Sequence, residues 1–218
     1  MPPLRPVAFD IETTGFEPDA RLTVAGLATD SRCWQVLNTA GRPADADGLQ
    51  SSLSARSGPP ITIEIAETES QALRGVTEFV AAALDPDRHY LCGFNGETWR
   101  SGFDLPFLRT ACARHDLGWP FHEIAYADVQ SMTARFNTGE GSDLESVYAT
   151  LVDGETPDPF ADSREAVAAF EAGDWDALLR HNLADLRRTH ELAVLAGHYV
   201  PKSDFEMKSL DPPAGPRP

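Results

Sequence analysis

The stretch VAFDIETTG near the start of the chain carries two carboxylates, Asp10 and Glu12, within a short apolar run. Such a run is typical of a buried strand, and side chains two residues apart on a strand point to the same face. Two negative charges held this close repel each other, and a buried charge without a partner is unfavourable. We therefore expect a positive charge between them, and a divalent metal ion is the simplest candidate.

Two later segments carry further residues that could take part in the same chemistry. GFNGETWRSGFDLPFL places Asn95 at the end of a predicted strand and Asp104 at the start of a predicted helix. LLRHNLADLRRTHEL places His181 and Asp185 four residues apart, on one face of a helix. Each pattern also has an ordinary explanation, because an acidic residue often caps a helix and a His–Asp pair at this spacing is often a surface pair.

The elements that would position these residues follow from the spacing of apolar residues. Residues 5–39 predict a three-stranded meander, and residues 40–60 a loop with room for a short helix. ITIEIAETES predicts a strand, with Glu64 on an exposed edge as an alternative. The remaining pattern predicts helices in 69–85, 104–118, 142–152, 163–173 and 174–199, a strand in 89–96, and a short strand and helix in 121–137.

Strands followed by alternating helices and strands predict an α/β domain with a mixed sheet. A length of 218 residues with 42% hydrophobic residues allows one or two domains. We favour a single domain over residues 1–200, followed by a Pro-rich tail, 201–218, that is expected to fray. No internal repeat is visible.

The net charge and the spacing of the cysteines limit how the protein could bind nucleic acid and in which compartment it is expected. The net charge of −16 argues against a generally basic surface for nucleic acid, but leaves a local cationic track possible. The three cysteines lack the spacing of a disulfide scaffold, and neither a signal peptide nor a membrane-spanning run is visible. We therefore expect a cytoplasmic protein that does not engage a membrane. Cys112 and His115 have a helical spacing that could suit a metal, but no matching second pair accompanies them.

Taken together, FDIETTG, Asn95 with Asp104, and Asp185 on a late helix resemble the three exonuclease motifs of the DEDD superfamily. The resemblance covers about Arg5 to Leu195. It is greatest to the branch that includes the proofreading domains of family B DNA polymerases and stand-alone predicted exonucleases. It implies an RNase H-like mixed β-sheet flanked by helices, and a 3′-to-5′ exonuclease that hydrolyses single-stranded DNA or RNA from the 3′ end.

The resemblance also implies a role for each residue of the site. Two ions, Mg²⁺ or Mn²⁺, would be held near the scissile phosphate, with Asp10 binding both of them. Phe16 would stack on a base, or alternatively fold onto the core. The implied metal ligands are Asp10, Glu12, Asp104 and Asp185. The implied substrate contacts are Thr13, Thr14, Gly15, Phe16 and Asn95.

One position departs from the superfamily pattern. The residue that positions the attacking water is a Tyr four places before the last Asp, or a His five places before it. Here His181 stands four places before Asp185, and Arg180 stands five places before it. Imidazole can accept a proton near neutral pH, so His181 is a candidate general base. The alternative is a helix-face His that is hydrogen-bonded to solvent or to a carboxylate.

Two rival functions stay open from the sequence. One is a catalytically impaired RNase H-like module that binds nucleic acid or serves as a scaffold. The His181 departure argues mildly for it, whereas the four filled acidic positions argue against it. The other is another metal-dependent phosphodiesterase, or an RNase H-type endonuclease that cuts internally. We identify no residue that would contact the ribose 2′-hydroxyl, so the sequence does not distinguish a DNA substrate from an RNA substrate. A polymerase or helicase partner is not identified either.

Overall fold

The computed structural model of the protein describes residues 3–55, 59–97, 102–139, 141–152, 156–161 and 163–214. Within these residues the strands form one mixed sheet. In chain order its strands are β1 (Arg5–Thr13), β2 (Leu22–Ala28), β3 (Cys33–Asn38), β4 (Ile61–Ala66), β5 (His89–Gly93), β6 (Ala125–Asp128) and β7 (Lys208–Ser209).

The strand order in the sheet is β4-β3-β2-β1-β5-β6-β7, which places β1 in the centre. β1, β2 and β3 pair antiparallel and form the predicted meander, whereas β5 is parallel to β1 and β6 is parallel to β5. β4 lies parallel to β3 at one edge, as the alternating pattern around Glu64 allowed. This sheet confirms the predicted α/β class, and it is consistent with an RNase H-like fold.

Helices flank the sheet at the positions that the apolar spacing predicted. None of the helices in the described ranges combines the length and the apolar composition needed to cross a bilayer. The α-helices in these ranges are α1 (Ala46–Ser54), α2 (Glu69–Ala83), α3 (Asp104–Arg114), α4 (Val129–Thr133), α5 (Leu144–Leu151), α6 (Ser163–Ala172) and α7 (Trp175–Tyr199).

The alternation of side chains along β1 turns its two carboxylates towards α7. Three apolar residues of β1 belong to the core that α2 and α3 cover, namely Val7, Phe9 and Ile11. Ala8 belongs instead to the core that contains α7. Because the period of a strand is two residues, Asp10 and Glu12 lie on the same side as Ala8.

The close packing of α7 on the sheet depends on Gly26 in β2. Gly26 lies directly opposite Asp10 in the register of β1 and β2. A Cβ atom at Gly26 would overlap the side chains of Asn182 and Leu186 on α7. The glycine therefore lets α7 lie directly over Asp10.

The C-terminal segment folds back onto the sheet. The expectation that it frays is wrong for residues 202–211, which form a short 3-10 helix (Lys202–Asp204) and then β7, antiparallel to β6. The side chain of Leu210 is buried, and the Asp211 carboxylate accepts a hydrogen bond from the backbone N–H of Glu123. Backbone pairing along the free edge of β6 and burial of one apolar side chain outweigh the Pro-rich composition. Residues 215–218 of the predicted tail lie outside the described ranges.

Candidate metal centre

The centre lies where β1 faces the middle of α7. The Nε2 atom of His181 is 3.7 Å from a carboxylate oxygen of Glu12 and 3.9 Å from one of Asp185. One ligand atom from each of these three residues lies within 4.8 Å of the others, so the three could together hold a metal ion. Asp10 is two residues before Glu12 on the same face of β1, and the charges of Glu12 and Asp185 act on its carboxyl group.

Asp104 brings a third element, α3, to this centre. It is the first residue of α3, after Phe103 at the N-cap position. Burial, together with the charges of Asp128 and Asp185, raises the pKa of Asp104 from 3.8 to about 8. Asp104 in turn raises the pKa of Asp10. The structure therefore brings the four acidic residues singled out in the sequence into one electrostatic neighbourhood.

Burial and mutual repulsion dominate the electrostatics of this neighbourhood. Burial, and then the charges of nearby carboxylates, raise the pKa values of Asp10 and Glu12 well above their usual range. Burial also raises the pKa of Asp185, although His181 and Arg188 offset part of the effect. A cation would relieve this repulsion. Carboxylate oxygens are the donors that Mg²⁺ and Mn²⁺ prefer, so the residues present fit such an ion.

A buried amide pair holds the carboxylate of Asp10 from behind. Asn182 donates from Nδ2 to Oδ2 of Asp10 at 2.8 Å, and Gln35 donates from Nε2 to Oδ1 of Asn182 at 2.7 Å. Gln35 also donates to the backbone carbonyl of Leu179 at 2.9 Å. Both amide side chains are fully buried. They orient Asp10 without adding charge, and no pattern in the sequence predicted them.

A second unforeseen contact comes from Asp158, in the segment before α6. Its Oδ1 atom lies 2.8 Å from Nδ1 of His181, and its Oδ2 atom accepts a 2.7 Å hydrogen bond from Arg188. Burial lowers the pKa of His181, but the hydrogen bond to Asp158 and the charge of Asp185 outweigh it and raise the pKa overall. His181 thus has a carboxylate partner, as one alternative from the sequence proposed, while its other nitrogen faces the centre.

The turn after β1 lies beside the centre and is fixed by its own side chains. The register of β1 with β2 shifts between Glu12 and Thr13. Thr13 donates from its hydroxyl to the backbone carbonyl of Gly15 at 2.8 Å, and the Thr14 hydroxyl accepts from the N–H of Arg21 at 2.9 Å. Gly15 has a φ of 149°, a conformation that strongly favours glycine. This turn carries the chain directly to Phe16.

Phe16 is exposed, and its ring lies against Phe103, which packs on the core. Phe16 is 71% exposed, and its ring contacts that of Phe103 edge to face at a centroid distance of 5.1 Å. Phe103 also contacts Phe107, at 5.4 Å. An aromatic pair therefore joins the turn after β1 to the residue just before Asp104.

Asn95 is held at the end of β5 by another acidic residue that the sequence analysis did not identify. Asn95 has a φ of 56°, and the backbone N–H groups of Asn95 and Gly96 each donate to the Asp128 carboxylate at 3.1 Å. Tyr126 donates its hydroxyl to the same carboxylate at 3.0 Å. The Oδ1 atom of Asn95 is buried and has no hydrogen-bond partner among the described residues. Asp128 therefore fixes the turn that precedes α3, rather than joining the metal-ligand cluster.

Neither the known protein-family models nor the curated proteins match this sequence.

Proposed function

We propose that the protein is a metal-dependent 3′-to-5′ exonuclease that hydrolyses single-stranded DNA or RNA. The observation that carries this proposal is the convergence of four carboxylates from β1, α3 and α7, whose pKa values are raised by burial and then by the charges of nearby carboxylates. Such repulsion destabilises a fold, and perturbed pKa values cluster at functional sites. The resemblance of the three motifs to the DEDD superfamily supports the reaction and its direction.

The acidic residues would hold divalent cations. Asp10, Glu12, Asp104 and Asp185 supply hard oxygen donors for Mg²⁺ or Mn²⁺, and Asn182 keeps the Asp10 carboxylate in one orientation. When bound, such ions activate a water molecule and stabilise the leaving oxygen of a phosphodiester. The charge of the ions would offset the repulsion among these four carboxylates.

His181 would orient the attacking water and accept its proton. Its Nε2 atom faces Glu12 and Asp185 at distances too long for a direct hydrogen bond, so it is free to contact a reacting group between them. Imidazole is the usual side chain for this task near neutral pH. The His in place of the superfamily's Tyr is therefore compatible with catalysis.

Phe16 and Phe103 would bind the terminal base. The exposed ring of Phe16, which makes an edge-to-face contact with Phe103, offers a surface for stacking. Stacking of this kind accepts any base. Phe16 belongs to the turn after β1 and Phe103 directly precedes Asp104, which supports binding of a base beside the carboxylates. Such a surface suits a frayed single strand rather than a closed duplex.

The direct test is to incubate the purified protein with 5′-labelled single-stranded DNA and RNA, in the presence of Mg²⁺, Mn²⁺ or chelator. We expect a metal-dependent ladder of products that shortens from the 3′ end, and no cleavage of circular single-stranded DNA. Asp10→Ala, purified in parallel, controls for contaminating nucleases. Cutting of the circle would indicate an endonuclease, and metal-dependent binding without cleavage would favour the binding module.

A further inference from the structure

We propose that Asp158 is a positioning residue that holds His181 for the reaction. This inference rests on the proposed function and adds to it a residue outside the three motifs. Asp158 lies 23 positions before His181 in the chain, and it meets the imidazole on the side away from β1. It acts through His181, and no contact places it on the reacting atoms.

The two nitrogens of His181 have different surroundings. Nδ1 lies 2.8 Å from Oδ1 of Asp158, which is hydrogen-bonding distance, whereas Nε2 faces Glu12 and Asp185 at 3.7 and 3.9 Å. A carboxylate accepts and does not donate, so Nδ1 carries the proton in this pair. The neutral ring therefore presents its unprotonated nitrogen, Nε2, to the carboxylates of the centre.

Asp158 is itself held from several directions. Arg188 donates to its Oδ2 atom at 2.7 Å, and the backbone N–H of Phe160 donates to its Oδ1 atom at 3.1 Å. The same Nη1 atom of Arg188 donates to Asp185 at 2.9 Å. The side chain of Asp158 is only 8% exposed. Arg188 thus couples the carboxylate that orients His181 to a carboxylate of the metal centre.

The contacts of the His181 ring restrain its position. The His181 side chain is 12% exposed, and its ring packs against Phe160 at a centroid distance of 5.2 Å. A ring held by one hydrogen bond and one packing contact keeps Nε2 at a defined position and in one tautomer. An imidazole without Asp158 would be free to rotate or to exchange tautomers, so fewer molecules would be competent at any moment.

The kinetic test is a double-mutant cycle on the intact protein. We expect Asp158→Asn to lower kcat by about 10- to 100-fold with little change in KM, as for other partners that orient a functional His. We expect no further loss when Asp158→Asn is added to His181→Ala, because the residue then has nothing left to orient. Exposed Asp87 supplies the matched control, since Asp87→Asn removes a carboxylate just before β5, near the end of β1 that lies opposite to Glu12.

The structural test does not need activity. The measurement is nitrogen NMR of the His181 ring, at a pH at which the ring is neutral. The His181 signals are those that disappear in His181→Ala. We expect them to show the proton on Nδ1. In Asp158→Asn the new amide can donate to Nδ1, so we expect the proton to move towards Nε2.

Three results would overturn the inference. One is equal loss of activity from Asp158→Asn with and without His181, which would indicate a purely structural role. Another is an unchanged tautomer in Asp158→Asn, and the third is wild-type kcat in that variant. If the wild-type protein proves inactive, the proposed function fails, and the NMR measurement alone decides whether Asp158 positions His181.

Discussion

Two clusters of ionisable side chains in this protein have opposite charge balance. At the candidate metal centre, the carboxylates of Glu12, Asp158 and Asp185 lie around the two basic side chains His181 and Arg188, and Asp10 and Asp104 lie in the same electrostatic neighbourhood. Between α2, α3 and β2, a single carboxylate, Glu69, meets three basic side chains. Its Oε2 atom lies 2.6 Å from the imidazole of His115, and 3.1 and 3.2 Å from the guanidinium groups of Arg21 and Arg114. Its Oε1 atom accepts from the N–H of Leu22.

The pKa values follow this difference. Burial by itself raises the pKa of Glu69, but hydrogen bonds from His115, Leu22 and Arg21, with the charge of Arg114, outweigh it and lower the pKa overall. At the candidate metal centre, burial and the charges of Glu12, Asp104 and Asp185 raise the pKa of Asp10, and among the described residues His181 is the cation that lowers it. The charge of Glu69 is thus balanced by basic side chains of the protein, whereas the carboxylates of the candidate centre could be balanced by a bound cation. The cluster also engages His115, which the sequence had suggested as half of a metal pair.

The largest effect should come from removing the charge of Asp10. We expect Asp10→Asn to reduce exonuclease activity by about 10³-fold or more, roughly 4 kcal/mol of transition-state stabilisation, because the ions lose their shared ligand. The metal-free variant should unfold at an equal or higher temperature than the wild type, since one repelling charge is gone. Nuclease assays and thermal unfolding measure the two quantities. A variant that is less stable without metal would contradict the charge imbalance proposed for this centre.

A smaller effect should come from the buried amides behind Asp10. We expect Asn182→Ala to weaken Mn²⁺ binding and activity by about 10- to 100-fold, because Asp10 loses the donor that orients it. Gln35→Met keeps the side-chain volume but removes the hydrogen bond to Asn182. It should also weaken Mn²⁺ binding and activity, but by less than Asn182→Ala. Calorimetric titration with Mn²⁺ checks the order of the two variants. Equal affinities for wild type and Asn182→Ala would show that Asp10 needs no such support.

Local patterns predicted the parts of the molecule that depend on neighbours in sequence. Asp10 and Glu12 share a face because a strand repeats every two residues, and His181 and Asp185 share one because they lie one helical turn apart. The contacts of Asn182 with Gln35 join residues 147 positions apart, and those of Asp158 with His181 join residues 23 apart. The spacing of apolar residues along the chain does not predict contacts between such distant residues. β7 was missed for a related reason, since two residues are too few to show an alternating pattern.

The pH dependence of stability provides the finest comparison of the two clusters. The folded-state pKa of Asp104 is raised to about 8, so its contribution to stability is complete below its unfolded pKa and is lost as the pH rises through about 8. The folded-state pKa of Glu69 is lowered from 4.5, so its contribution is present above that value and is lost as the pH falls through the folded pKa. The metal-free protein should therefore lose stability on both sides, for different reasons.

The losses of stability at high pH and at low pH can be tested with separate variants and with added Mg²⁺. Asp104→Asn should flatten the loss between about pH 4 and pH 8, and Glu69→Gln should flatten the loss below about pH 4.5. Mg²⁺ should raise the unfolding temperature more at about pH 8 than at about pH 5, because the carboxylates must release protons to bind it. Unfolding followed by circular dichroism across this range measures all three. If Mg²⁺ stabilised the protein equally at both pH values, its binding would not involve carboxyl groups whose pKa values are raised, and the proposed ligands would be wrong.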